Sequence, residues 1–416
     1  MMQESIDLSR YIRPGDTIWW NQGTAEPLRL TESLVRQRAE IGPCRAFLGV
    51  TSSTTLQAEH ADFLSLLSYC GLGQNQRLMD AGMLDVIPCH YSQLPFMLDS
   101  GALPCDVLFL QVSPPGPDGK PSLGTAHDYL LCAARRARVV IAEINEQMPW
   151  THGSPGVEDI RFDAIVHSNR PLLTASLPTI GDIERRIAAH VAEFINDGSV
   201  LEMGIGAVPD AIMGLLQDRR DLGIHSGMLG DSVVDLIEAG AVTNARKSID
   251  RGVTTVGILL GTQRLYEFAR SNFSLNFQPS TYTHAHSVLA SINNFIAINS
   301  AIEVDLTGQI NAEVLNGRYI GAIGGQTDFM RGAQAAKNGH SIIALPSSTR
   351  DGRISRIVSR LADGVVTTPR SESDIFVTEW GAAQLRGQPL QERMRRMIAI
   401  AHPDHREQLE REAFGC

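Results

Sequence analysis

Gly15-Asp-Thr-Ile-Trp-Trp-Asn-Gln-Gly23-Thr-Ala-Glu-Pro27 and Gly198-Ser-Val-Leu-Glu-Met-Gly-Ile-Gly206-Ala-Val-Pro-Asp210 are two versions of one pattern. Each leaves a glycine turn, runs through a short apolar strand, bends at a glycine loop and opens a helix-like segment. The match continues in order along the chain. Val107-Leu-Phe-Leu-Gln-Val112 with Asp118-Gly119 corresponds to Phe295-Ile-Ala-Ile-Asn299 with Thr307-Gly308. Asp128-Tyr129, a helix and Val139–Ala142 correspond to Asp328-Phe329, a helix and Ser341–Ala344. Short strands match singly by chance, but three matches in series mark an internal duplication.

Asn169–Gly181 has the composition of a linker between the copies. An amphipathic helix follows, with Asp182 placed to cap it and Ile183, Ile187, Val191, Phe194 and Ile195 on one face, until Asp197-Gly198 stops it. The boundary is therefore expected near residue 182, giving domains 1–182 and 183–416. Val253–Leu260, Phe295–Asn299, Ser341–Leu345 and Asp374–Thr378 read as strands alternating with helical patterns. That alternation predicts an α/β fold with mainly parallel sheets in both domains. Such sheets bind ligands at the carboxyl ends of their strands, in the loops before the helices.

Composition sets the outer bounds. The 416 residues are 43% hydrophobic and 20% charged, the balance of a globular chain. A formal net charge of −10 with no Lys/Arg stripe excludes nucleic acid as an expected partner. The start, Met1–Asp7, carries acids and does not read as a signal peptide, and no run of ~18 apolar residues is present to span a membrane. Cys44, Cys70, Cys89, Cys105, Cys132 and Cys416 form no Cys-x-x-Cys pair and read as reduced thiols of a cytoplasmic protein. His284-x-His286 and His402-x-x-His405 lack companion ligands, so no metal is expected.

Three stretches could carry chemistry. Gly204-Ile-Gly206-Ala207-Val-Pro209-Asp210 joins a strand to a helix start, where freed N–H groups can hold an anion or a developing oxyanion. Gly321-Ala-Ile-Gly324-Gly325-Gln326-Thr-Asp328 is a second glycine loop, read as a ligand contact that ends where Asp328 caps a helix. His225-Ser226-Gly227-Met228 contains a His-Ser pair but no Gly-x-Ser-x-Gly elbow, so Ser226 is a poor candidate nucleophile.

Together these stretches resemble the acetyl-CoA hydrolase/transferase family from about residue 12 to residue 410. The likeness also includes Ala25-Glu26-Pro27, Val112–Pro115, Ala142–Gln147, Leu222–Ser226, Gly261–Tyr266, Val377–Gly381 and Ala401-His402-Pro403. It implies two tandem α/β domains of the CoA-transferase (NagB-like) type, with the active site at their junction. It implies coenzyme A as substrate and product, with an acyl-CoA and a small acceptor (water, a carboxylate or another nucleophile) as partners. In such transferases a glutamate attacks the thioester and carries CoA as a glutamyl thioester. The resemblance makes the Gly204–Asp210 loop, with Gly206 and Ala207, the oxyanion hole, and Gly204, Gly321, Gly324, Gly325 and Gln326 the lining of the CoA pocket. It places the nucleophile between His-Ser and Met, where this chain has Gly227.

Glycine has no carboxylate with which to form that intermediate. Glu303 falls in a segment that is not the family's nucleophile. Glu26 is set by the duplication on a loop facing the cleft, and it is a candidate general base or a structural cap. His225 is a candidate base because an ordinary imidazole titrates near neutrality. The expected activity is hydrolysis or acyl transfer without a glutamyl-CoA intermediate. Three alternatives stay open: a conventional carboxylate CoA-transferase using another carboxylate, an engineered Glu-to-Gly variant of one, and a silent CoA-binding protein. Gly227→Glu is expected to create CoA exchange with acetate. A homodimer is the expectation for such an enzyme.

Overall fold

The computed structural model describes residues 6–153 and 157–415; Met1–Ser5, at the start of the acid-bearing stretch, and Cys416 lie outside them. Within them the chain forms two compact units. The first comprises the residues up to Ser176 together with Val256–Tyr282, and the second Leu177–Thr255 together with the residues from Thr283 onward. The linear division at residue 182 thus differs from the compact units in one respect beyond a few residues: the segment 256–282 leaves the second half of the chain.

The first unit is built on a parallel sheet in the order Leu84–Val86, Leu64–Ser68, Cys44–Leu48, Thr17–Trp20, Val107–Val112, Val139–Asn145 and Ala164–Ser168. Val107–Val112 is buried at every position, as a central parallel strand covered on both faces must be. The returning segment is tied in by backbone bonds: Leu259 N–H donates to Thr125 O, His127 N–H to Gly257 O, and Phe277 N–H to His152 O.

In the second unit the order runs Gly223–Leu229, Val200–Met203, Phe295–Asn299, His340–Ala344 and Ile375–Thr378, all parallel, with Gly381–Gln384 antiparallel to the last. The duplicated stretches occupy equivalent places. Thr17–Trp20 and Val200–Met203 each lie between the strand that follows in sequence and the matched strands Val107–Val112 and Phe295–Asn299.

Two helix starts differ from expectation. The helix Asp182–Ala192 is capped by Gly181, whose N–H donates to the Glu184 side chain at 2.9 Å. Asp182 is exposed and pairs instead with Arg185. The helix Gln326–Ala335 begins at Gly325, so Asp328 lies in its first turn rather than capping it. One face of this helix packs Phe329 and Ala333 with Leu289, Ile292, Val200, Phe295 and Ala297 into a buried cluster. Each of the larger side chains, Phe329, Leu289, Ile292, Val200 and Phe295, stabilises by about 1.5–3 kcal/mol, and together they hold the helix against the strands. No helix among the described residues is long and apolar enough to cross a membrane, and no cluster of three metal-ligating side chains occurs among them. The five described cysteines are buried free thiols.

Candidate active site

Most of the residues singled out from the sequence gather within the second unit, at the carboxyl ends of its strands. Val200–Met203 ends at Gly204, and the helix Ala207–Gly214 starts at once with Gly206 as its N-cap. Gly206 has φ +129°, a conformation that L side chains rarely adopt, which accounts for glycine there. Ala207 and Val208 precede the first helical bond, Asp210 N–H to Gly206 O. Their amides therefore have no partner within the helix. A Cβ at Gly204, where this loop leaves the strand, would meet nothing within 4 Å.

Gly227 lies half-buried near the end of the neighbouring strand Gly223–Leu229. Its backbone would accept a side chain; its surroundings resist one. A Cβ there would stand 2.9 Å from Cε1 and 3.0 Å from Nε2 of His284, and 3.4 Å from Cε2 of Phe329. Gly325 meets the same rings, with its Cβ position 2.7 Å from His284 Nε2 and 3.1 Å from Phe329 Cε2. The two glycines are thus matched to one aromatic pair, whose ring centroids are 4.5 Å apart. Thr283 Oγ1 lies 2.8 Å from His284 Nδ1 and fixes the ring. Burial, and secondarily His225, pulls the His284 pKa down to about 3, so the imidazole is neutral at physiological pH.

His225 is buried, with Nε2 3.1 Å from the carbonyl oxygen of Thr283. A carbonyl only accepts, so Nε2 carries the proton. Burial, then the Lys247 charge, lowers the His225 pKa to about 4. The near-neutral titration expected of this ring is therefore absent, which corrects the argument for it as a base. Ser226 is also buried, and its hydroxyl lies 3.1 Å from Met203 O and 2.8 Å from Met228 O, lacing two strands together.

The other sequence candidates hold structure. Gln326 donates to Ser300 O at 2.7 Å and accepts from Thr368 Oγ1 at 3.2 Å, so both ends of its amide are engaged. Gly321 packs so closely on the backbone of Ala312 that a Cβ has no room, whereas Gly324 has φ +54° and only the Ala322 Cβ, at 3.8 Å, beside its own Cβ position. Glu303 accepts from Asn311 Nδ2 at 3.1 Å. In the first unit, Glu26 is buried, and its Oε1 accepts from the N–H groups of Ser52 (2.5 Å) and Ser53 (2.9 Å) while Oε2 accepts from Ser53 Oγ (2.6 Å). Burial raises its pKa against those bonds.

Sequence reasoning misses two groups. His284 stands out there only as a possible metal ligand, because nothing in a linear pattern ties it to Gly227. Glu202 carries a visible signal, being the one acid inside the buried strand Val200–Met203. It is 4% exposed, and its Oε2 accepts from Asn299 Nδ2 at 2.8 Å. Burial lifts its pKa to about 8 despite that bond.

With this geometry in hand, comparisons with known proteins converge. Residues 2–170 match the acetyl-CoA hydrolase/transferase N-terminal domain and residues 261–413 the C-terminal domain. The chain is 40% identical over 338 residues to 4-hydroxybutyrate coenzyme A transferase of Clostridium kluyveri, covering 81% of this chain and 79% of that one. Among solved structures, RipA from Yersinia pestis superposes with a TM-score of 0.92 at 34% identity, over 98% of this chain and 95% of RipA. A 4-hydroxybutyrate CoA-transferase from Porphyromonas gingivalis gives 0.83 at 31% identity, over 97% and 95% of the two chains.

Proposed function

The chain belongs to the acetyl-CoA hydrolase/transferase family, and from that premise we propose that it passes the acyl group of an acyl-CoA directly to its acceptor, with no glutamyl-CoA intermediate. The observation that carries this reading is the fit of Gly227 and Gly325 to the His284 and Phe329 rings. The position that the family resemblance gives to the nucleophile bears no side chain, and a Cβ there would press on the edge of a neutral imidazole at 2.9 and 3.0 Å.

The rest of the site suits thioester chemistry. The thioester carbonyl oxygen would lie at the amides of Ala207 and Val208, where the positive end of the helix favours developing negative charge. Donors fixed in advance of reaction can supply a large share of catalysis without a covalent step. Attack of the acceptor on the carbonyl carbon forms an oxyanion there, and its collapse breaks the carbon–sulfur bond and releases CoA. Glu26, with three hydrogen bonds to the Ser52-Ser53 loop, acts as a positioning residue rather than the base.

The test is mass-spectrometric assay of acetyl-CoA and butyryl-CoA consumption with water, acetate and an amine as competing acceptors. Borohydride is added in parallel to reduce any enzyme thioester. Turnover with no modified residue is expected. A trapped glutamyl adduct, or tight acyl-CoA binding with no turnover by any acceptor, would overturn the proposal.

A further inference from the structure

We propose that Glu202 is the proton acceptor of this reaction: its carboxylate takes the proton from the attacking acceptor and returns it to the departing CoA thiolate. The inference rests on the direct-transfer reading and adds the residue that runs it.

Geometry carries it. Val200 pairs with Gly223 and Leu201 with Ile224, so continuing the register sets Glu202 beside His225. Residues two apart on a strand share a face, which puts Glu202 and Gly227 on the same side of adjacent strands. Strand spacing and rise then place their Cα atoms roughly 8 Å apart. On the other side Glu202 pairs with Ala297, yet its carboxyl accepts from the Asn299 side chain and the Ile298 backbone N–H, two residues and one residue nearer the carboxyl end. The side chain therefore leans toward the rim, where Asn299, Gly204 and Gly227 are all half-buried. It stands next to the loop that presents the Ala207 and Val208 amides.

The step balances with water as acceptor. Glu202 removes one proton as the water oxygen bonds to the carbonyl carbon, and the oxyanion collapses with loss of the thiolate. The thiolate takes that proton, leaving the free acid, CoA and an ionised Glu202. A carboxyl whose pKa lies near the working pH suits both halves of the transfer. Around it, His225 and His284 stay neutral above about pH 5, while Lys247, whose Nζ donates to Ile224 O, Val253 O and Thr255 Oγ1, is lowered by burial to about 8. Asp328 stands in the first turn of the covering helix. Because Lys247 titrates in the same range, the assignment depends on a variant in which only Glu202 has changed.

Glu202→Gln keeps the acceptor for Asn299 and the shape of the neutral acid. With acetyl-CoA and butyryl-CoA as probes, the wild-type rate is expected to rise with pH through about 8. The Gln variant should lose at least about 100-fold in kcat and lose the rise, with calorimetric affinity for CoA unchanged. A wild-type profile flat from pH 6 to 9, or a Gln variant that keeps the wild-type rate, overturns the role of Glu202 and leaves direct transfer standing. A trapped enzyme thioester instead overturns direct transfer.

Discussion

Placing a carboxylate at position 227 is the direct experiment, and the contacts there predict that by itself it fails. Even alanine brings a carbon 2.9 Å from His284 Cε1 and 3.0 Å from Nε2, where unstrained carbon contacts lie near ~3.5–4.0 Å. The ring must retreat by roughly half an ångström or more. It is held by Thr283 at 2.8 Å and by the Phe329 ring, and Gly325 closes on the same ring. Overpacking of this kind costs about 1–3 kcal/mol, and a glutamate adds the desolvation of its charge. Gly227→Glu should therefore lower stability by at least that amount and show no exchange of CoA between acyl-CoA and acetate. This prediction departs from the expectation, drawn from sequence, that the single substitution suffices. In Gly227→Glu/His284→Ala the obstructing ring is gone. The two changes should then couple favourably by about 1–3 kcal/mol in a urea-denaturation double-mutant cycle, and exchange should appear together with a borohydride-trappable thioester. If Gly227→Glu alone is as stable as wild type and exchanges CoA, the ring is no barrier and the reasoning fails.

Further outcomes follow from the same contacts. Glu202 has its folded pKa raised from 4.5 to about 8, so wild-type stability should fall as pH rises across that window. Glu202→Gln should accordingly match wild type near pH 4.5 and exceed it by about 3 kcal/mol at pH 7, a difference that urea melts at several pH values can measure; equal stability at pH 8 would count against it. Glu26→Ala strands two backbone N–H groups of the Ser52-Ser53 loop and should cost about 2–4 kcal/mol. Glu26→Gln should retain kcat within about tenfold, far from the loss that removal of a general base brings; a stable Gln variant with abolished turnover would make Glu26 the base after all. Ser226→Ala should cost about 1–2 kcal/mol in thermal melts and leave turnover nearly intact, whereas a folded but dead variant would revive it as a nucleophile.

Periodicity identifies strands well because a buried parallel strand must be an apolar run whatever its neighbours are. Phe295–Asn299 is observed with the expected ends, and the expected Val253–Leu260 is observed as Thr254–Leu259. The same pattern does not say with which part of the fold a segment packs. Residues 256–282 join the first unit through bonds to Thr125, His127 and His152, partners remote in sequence that no local period reveals. The helix cap escapes the sequence for a related reason. Asp182 fits the preference for an acid at the start, but the bond from Gly181 N–H to the Glu184 carboxylate wins because the N-cap lies one residue earlier.

The chemistry is legible in the sequence as a gap and illegible as a fit. Gly227 alone says only that a carboxylate is missing from a place where a resemblance expects one. Its meaning depends on what occupies the vacated volume, and that is decided by Thr283 and His284, more than fifty residues on, and by Gly325 and Phe329 on a third element. Had the space been empty, an inactivating substitution would be the simplest account of the glycine. Gly325 meets the same ring, but it belongs to the glycine loop that the family resemblance includes, so it fixes the place of the ring and is no response to Gly227. The acid within Val200–Met203 sharpens the point. Burying a carboxyl costs stability at neutral pH, and a glutamine could accept the Asn299 bond without that cost. A site with glycine where the resemblance expects the nucleophile, holding a carboxyl at a stability penalty on the same face of the next strand, fits the proposed proton acceptor at Glu202 better than the decay of an enzyme.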